Sequence, residues 1–276
     1  MKKAFWKKKT KTSDFEESDL PSTRPALFWD VVKNEFRKLF GVSLLLLAFA
    51  LPFLAARFFC DFYRYALVSQ GAENVSWPSF LFLILNPIAT AVFGVGLGGA
   101  FRIVKRLCYL EPVFFWEDFK LGVKQNGKQA VLFSFLIGLC FSGTYAIRLM
   151  NPNNLLFDIP VGIFALLLYP SLLFAFPIIS IYTTRVGETM NLSARLYLKA
   201  FLKNLIPLIA FLAPFFFEFI PDLILKYIAI LAFLFLISPF YLLAFFLYES
   251  YLLDRYVNKE KYPGLVDKGI HRKKND

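Results

Sequence analysis

Few side chains in this chain could do chemistry, and their spacing argues against most reactions. Glu117 and Asp118 are adjacent carboxylates beside an apolar run, the raw material of an acid/base pair. On an amphipathic helix they read more simply as a solvated face. Cys60, Cys108 and Cys140 are far apart and lack the CxxC spacing of a zinc or redox site, so they read as packing residues. His271 is the only histidine and stands in a charged C-terminal stretch, which removes histidine catalysis and any multi-histidine metal site built within one chain. The expectation is a protein that is not an enzyme, with no catalytic residue, no metal site and no cofactor.

What remains is a recurring set of cations and aromatics at helical spacing. Phe28-Trp29-Asp30 precedes Lys33 and Arg37; Phe115-Trp116-Glu117 precedes Lys120 and Lys124, with Lys128 beyond; Arg195-Leu196 precedes Lys199 and Lys203. Each stretch sets two cations four residues apart on one helical face and apolar residues on a neighbouring face. Such helices lie in a membrane interface, where Trp116, Lys120, Lys124, Lys128, Arg195, Lys199 and Lys203 are the candidate contacts to a partner or to anionic headgroups. The offsets of 87 and then 79 residues suggest three helical hairpins, although interfacial helices with a positive-inside bias produce the same pattern without any repeat.

A second candidate motif is the glycine run Gly94, Gly96, Gly98 and Gly99. In a βαβ unit a GxG pattern would suggest a dinucleotide. Here no strand precedes it, and Gly94 and Gly98 form a small-xxx-small face for close helix packing. The other reading is a bent helix lining a substrate path.

The elements that must carry these residues follow from composition. The chain has 276 residues, 58% hydrophobic and 18% charged, with 35 phenylalanines. An ordinary soluble domain is about 45–50% apolar and about 25% charged, so lipid is the expected solvent. A helix crosses the hydrocarbon layer with about 20 apolar residues, and charges mark its ends because one at the centre costs about 2.5–3.5 kcal/mol. Six uncharged stretches fit: 39–56, 77–101, 129–147, 159–184, 204–217 and 227–248. The fifth is short and holds Pro207 and Pro214. The fold expected is all-α, a polytopic bundle of six transmembrane helices arranged as three hairpins with cytoplasmic interfacial helices.

The net charge is +11, which in a soluble protein would raise the question of nucleic acid. The basic residues instead bracket apolar runs, so the partners expected are the bilayer and its anionic headgroups, with no nucleic acid. Ten Lys and Arg precede residue 39, six lie between 102 and 128, four between 185 and 203 and seven after 248; the alternate loops hold only Arg57, Arg64, Arg148 and Lys226. The positive-inside rule then puts both termini in the cytoplasm. Residues 1–27 read as a disordered basic cytoplasmic arm and not a cleavable signal, because six lysines are followed by a polar stretch and no apolar core. Residues 28–248 form the membrane domain and 249–276 a charged cytoplasmic tail. None of the six stretches holds an ionisable residue of the kind that carries ions; Glu218 lies at an outer end, and the buried polar candidates include Asn86, Thr90, Ser142, Thr144, Ser171, Ser180 and Ser238.

From Gly94 to Lys128 the chain resembles the YesL family of bacterial integral membrane proteins. The resemblance rests on the glycine-rich helix end, on Phe101-Arg102-Ile-Val-Lys105-Arg106, on Glu111-Pro-Val-Phe-Phe-Trp116-Glu-Asp118-Phe119 and on Lys124-Gln-Asn126, with a second match from Phe176-Pro177 to Lys203-Asn204. It implies a multi-pass protein of the bacterial cell membrane and an accessory role beside carbohydrate-uptake permeases, and it supplies no catalytic residues. Two functions are therefore expected: an accessory or scaffold protein, or a permease subunit for a neutral solute such as a sugar, using the helices broken by Pro170, Pro177, Pro207, Pro214 and Pro239.

Overall fold

A computed structural model describes residues 20–71, 76–150, 155–201, 217 and 220–271. Among them every regular element is a helix. In chain order these are α1 (Arg24–Ser69), α2 (Ser76–Cys108), α3 (Phe115–Met150), α4 (Leu155–Leu173), α5 (Ala175–Ile181), α6 (Val186–Phe201), α7 (Leu223–Ala232) and α8 (Ser238–Leu253). A π-helical turn, Phe233–Ile237, joins α7 to α8, and a second, Asp254–Asn258, carries the chain on from α8.

Four helical runs are long and apolar enough to cross a membrane: Arg24–Ser69, Phe80–Cys108, Phe115–Ile147 and Leu223–Lys261. That is fewer than the six predicted. The fourth stretch, 159–184, is split between α4 and α5 at Phe174, leaving a shorter apolar run, Leu166–Ile181. Pro177, one turn into the second piece, has no amide to donate and its ring crowds the carbonyl four residues back, so the helix restarts at the break. The fifth stretch, 204–217, lies outside the described residues apart from Phe217, as do Lys203, Glu218 and residues 1–19 of the arm; the end of the arm expected to be disordered is helical, since α1 begins at Arg24 and Leu27 is buried.

The separate interfacial helices expected before the first and third stretches are instead the first turns of α1 and α3. At 46 and 36 residues these helices are about 69 and 54 Å long, against a hydrocarbon layer of about 30 Å, so both project well past it. Only Glu35 departs from helical geometry in α1 (φ −120°, ψ 21°). No proline stands at either join. Gly127 is the one weak helix former in α3 there, and a single glycine costs only about 1 kcal/mol.

The largest interface joins α2 to α3, where small residues let the backbones approach. A Cβ added to Gly94 would lie 2.7 Å from the Ala130 carbonyl oxygen, and one on Gly98 would lie 3.2 Å from the Ala130 Cβ. Phenylalanine fills the space where α2, α5 and α8 converge: Phe101 stacks on Phe176 at 5.9 Å, and Phe174 meets Phe245 edge-on at 5.6 Å. In α8, Pro239 cannot donate to a carbonyl one turn back, and the π-turn before it absorbs the mismatch while Ser238 Oγ donates to the Leu234 carbonyl at 2.6 Å.

Residues after 248, read from sequence as a charged tail, fold back onto the bundle. Helix continues through Glu249 to Lys261, and the stretch beyond is tied down: Arg24 pairs with Asp254 and lies 3.6 Å from Asp267, Lys268 pairs with Glu111 at 2.7 Å, and the His271 amide donates to the Pro21 carbonyl at 3.0 Å. Glu249 is itself fully buried, and neither carboxyl oxygen has a hydrogen-bond partner among the described residues. A buried carboxyl without a partner costs about 1–3 kcal/mol, so Glu249→Met is expected to raise the thermal midpoint of the detergent-solubilised protein. A lower midpoint would show that the carboxyl has a stabilising role.

Candidate functional site

The ties that hold the C-terminal segment also define one end of the bundle. The start of α1, the loop after α2, the turn after α5 and the segment after α8 all meet there. Tyr182 donates its hydroxyl to Asn258, Lys105 Nζ donates to the Ser180 carbonyl at 2.8 Å, and Lys268 Nζ lies 4.6 Å from the centre of the Tyr109 ring. At the opposite end, α1 and α7 meet through Asp61.

The predicted contact residues lie around the first end. Trp116, at the start of α3, is 62% exposed, and Lys120, Lys124 and Lys128 follow on the same helix, all exposed. None of the three lysines has an ion-pair partner among the described residues. Arg195 and Lys199 are exposed on α6, Lys199 lying 5.4 Å from the centre of the Tyr256 ring. The two helices approach each other where Gln129 donates to the Thr184 carbonyl at 2.6 Å and accepts from Thr189 at 3.4 Å. Lys203 lies outside the described residues. Gly94 and Gly98 lie inside the α2–α3 seam, Gly98 against Gly122 and Gly127 on the inner side of the lysine-bearing segment.

The carboxylate pair separates. Glu117 is exposed, whereas Asp118 is 1% exposed, pairs with Arg106, lies 3.6 Å from Arg102 and accepts the Phe114 amide at 2.8 Å. Asp118 is therefore not part of a solvated face: it locks the end of α2 to the first turn of α3 and positions the lysine-bearing helix.

Inside the bundle are polar groups that sequence reasoning underrated. Arg57, one residue past the first uncharged stretch, is 6% exposed, with its guanidinium 5.1 Å from the centre of Phe82 and 5.5 Å from that of Phe141. Asp61, one turn on, lies 3.7 Å from it and pairs with Lys226 at 2.8 Å, while Tyr227 donates to the same carboxylate at 3.2 Å. Asn86 donates to the Gly138 carbonyl at 2.9 Å and to Ser142 at 3.1 Å. Arg57 and Asn86 line a largely apolar, partly open cavity of about 290 Å³. Among the described residues no cluster of three or more His, Cys, Asp or Glu could hold a metal ion.

The fold and these sites define an all-helical protein compatible with a multi-pass membrane protein. No family model, curated protein or solved structure matches the chain.

Proposed function

We propose that this chain is an accessory or scaffold protein of the bacterial cell membrane that works without catalysis, crossing the bilayer six times with both termini cytoplasmic. Its basic rim holds a partner or anionic headgroups at the cytoplasmic surface. The observation that carries this reading is the free row of Lys120, Lys124 and Lys128 beside exposed Trp116, on a helix whose other face Asp118 fixes to the core. A row of uncommitted lysines costs the fold nothing and presents charge to a partner, each worth about 1 kcal/mol near an anionic membrane. An even number of crossings is supported by the contacts of Pro21 and Arg24 with His271 and Asp254 at the end that also carries the loop after α2, and six is the even number that the uncharged stretches suggest. The YesL resemblance makes a carbohydrate-uptake permease complex the first partner to seek.

A permease for a neutral sugar is the weaker reading. A sugar needs a hydrogen-bond partner for nearly every hydroxyl, and the cavity wall is almost entirely aromatic and aliphatic.

Mild-detergent capture of the tagged full-length protein from its native membrane tests the accessory reading. The eluate is expected to contain a permease or its ATPase. Reversing Lys120, Lys124, Arg195 and Lys199 together to glutamate is expected to cut that recovery, or retention on anionic vesicles, at least tenfold. Unchanged recovery and unchanged retention would overturn it.

A further inference from the structure

The lysine row on α3 has a direction, and the direction decides what can cover it. α3 is one helix from Phe115 to Met150 with no proline inside it. Its apolar part, 129–147, is the stretch that crosses the bilayer in the accessory reading, on which this inference rests. Lys128, Lys124 and Lys120 therefore climb away from the membrane along the helix axis. The first and last stand about 12 Å apart at 1.5 Å per residue.

A flat layer of headgroups is too thin to meet that row. The headgroup region adds only about 5–7.5 Å to each side of the hydrocarbon core. A helix tilted by as much as about 40° still spreads the three lysines over about 9 Å. Side chains on a helix lean toward its N-terminus, which for α3 is the cytoplasmic end, so all three lean away from the bilayer together and keep their separation. Among the described residues nothing neutralises them: each is exposed and makes no ion pair. They cannot turn inward either, because the other side of the same segment is packed, with Gly122 against Gly98 and Phe119 against Phe49. Trp116, one turn before Lys120, and Leu121 are exposed beside the row. Open aromatic and aliphatic area next to unpaired cations is the composition of an interface, in which apolar anchors supply affinity and charges set register.

We propose that the row is the docking face for an acidic amphipathic helix of a partner protein, with its carboxylates four residues apart. Such a helix repeats its carboxylates about every 6 Å, which is the spacing of the lysines, and two rows of this kind lie along one another when the helices cross at about 50°. An apolar residue beside the acidic row covers Trp116 and Leu121. An extended acidic segment fits less well. Its same-face residues repeat at about 6.6–6.8 Å along a nearly straight line, whereas the lysine row winds about 40° round α3 at each step.

The test uses full-length protein in nanodiscs of phosphatidylcholine, a lipid without net charge, at physiological salt. The probe is a fluorescein-labelled helix of alanine and leucine with glutamate at every fourth position, and anisotropy reads its binding. A control helix of the same composition has its glutamates five apart, which scatters them round its axis. The matched helix is expected to bind about tenfold tighter than the control. Lys120→Glu with Lys124→Glu is expected to cost about tenfold or more, and Trp116→Ala, which truncates an exposed side chain and leaves the core intact, about fivefold. Excess dihexanoyl-phosphatidylglycerol, a soluble anionic headgroup, is expected not to displace the helix. No binding, equal binding of the two helices, or affinity indifferent to either variant overturns the assignment. Displacement by the headgroup probe overturns it too and leaves the accessory reading in place, since the row then holds lipid; failure of the accessory reading itself shows in the capture from native membrane.

Discussion

Gly138→Ala is expected to destabilise the protein, while Gly143→Ala, five residues along the same helix, is expected to stabilise it. Alanine is the better helix former by about 1 kcal/mol at both positions, so packing alone decides the sign. A Cβ on Gly138 would collide with Thr90 and lie 2.7 Å from the Pro87 Cα. Thr90 cannot swing away without giving up its hydrogen bonds to the Asn86 and Pro87 carbonyls, at 2.8 and 3.0 Å. The α2 backbone must therefore retreat, stretching the bond from Asn86 to the Gly138 carbonyl. Overpacking of this kind costs about 1–3 kcal/mol. Gly143 is exposed and has nothing within 4 Å of the added carbon. Thermal unfolding in detergent, followed by loss of the monodisperse peak, reads both. Shifts of the same sign would mean that the α2–α3 seam is looser than its geometry.

The α2–α3 seam also shows what can be read without coordinates. Lipid constrains composition so strongly that long uncharged stretches and the glycine face of α2 stand out, because each is a local pattern in a single run of chain. Where an element ends is less legible. A charge after an apolar run marks an end on average, yet Glu249 follows Tyr248 without a break in the helix, and helical rotation carries it to the inward face. Arg57 stands at a similar boundary and is buried, since its charge is met by Asp61 and its guanidinium by two phenylalanines. The partner that completes that cluster, Lys226, is 165 residues from Asp61, and no local pattern connects them. The same holds for the cavity, whose wall is assembled from α1, α2 and α3 together with residues from α4, α5, α7, α8 and the π-turn. Of its features, Asn86, Thr90 and the Ser238-Pro239 break stand out in the sequence. The basic rim was legible as a set of spacings, whereas the inward turn of Asp118 was not, because adjacent helical residues face different environments and sequence alone does not say which faces in.

That difference between neighbours gives the second large effect. Asp118→Asn is expected to cost about 3 kcal/mol, and Glu117→Gln beside it less than about 0.5 kcal/mol. The Asp118 carboxylate answers two guanidiniums and a backbone amide at once, and it is buried while Arg102 and Arg106 are less than a quarter exposed. The amide of asparagine can keep the Phe114 contact through its oxygen, but it leaves two cations close together with no anion between them except Glu111, 3.5 Å from Arg106. Partial exposure of the arginines screens some of the repulsion, so the lower end of the range for breaking a buried pair applies. Pairing Asp118→Leu with Arg106→Met replaces charge by apolar volume on both sides, and this double variant is expected to recover part of the loss; a double-mutant cycle in thermal unfolding measures the coupling. Because the pair fixes the first turn of α3, the single variant is also expected to loosen the row from Lys120 to Lys128, read as faster amide hydrogen exchange over 115–124. Destabilisation without faster exchange there would mean that the pair holds the loop after α2 and that the lysine row is positioned by the rest of α3.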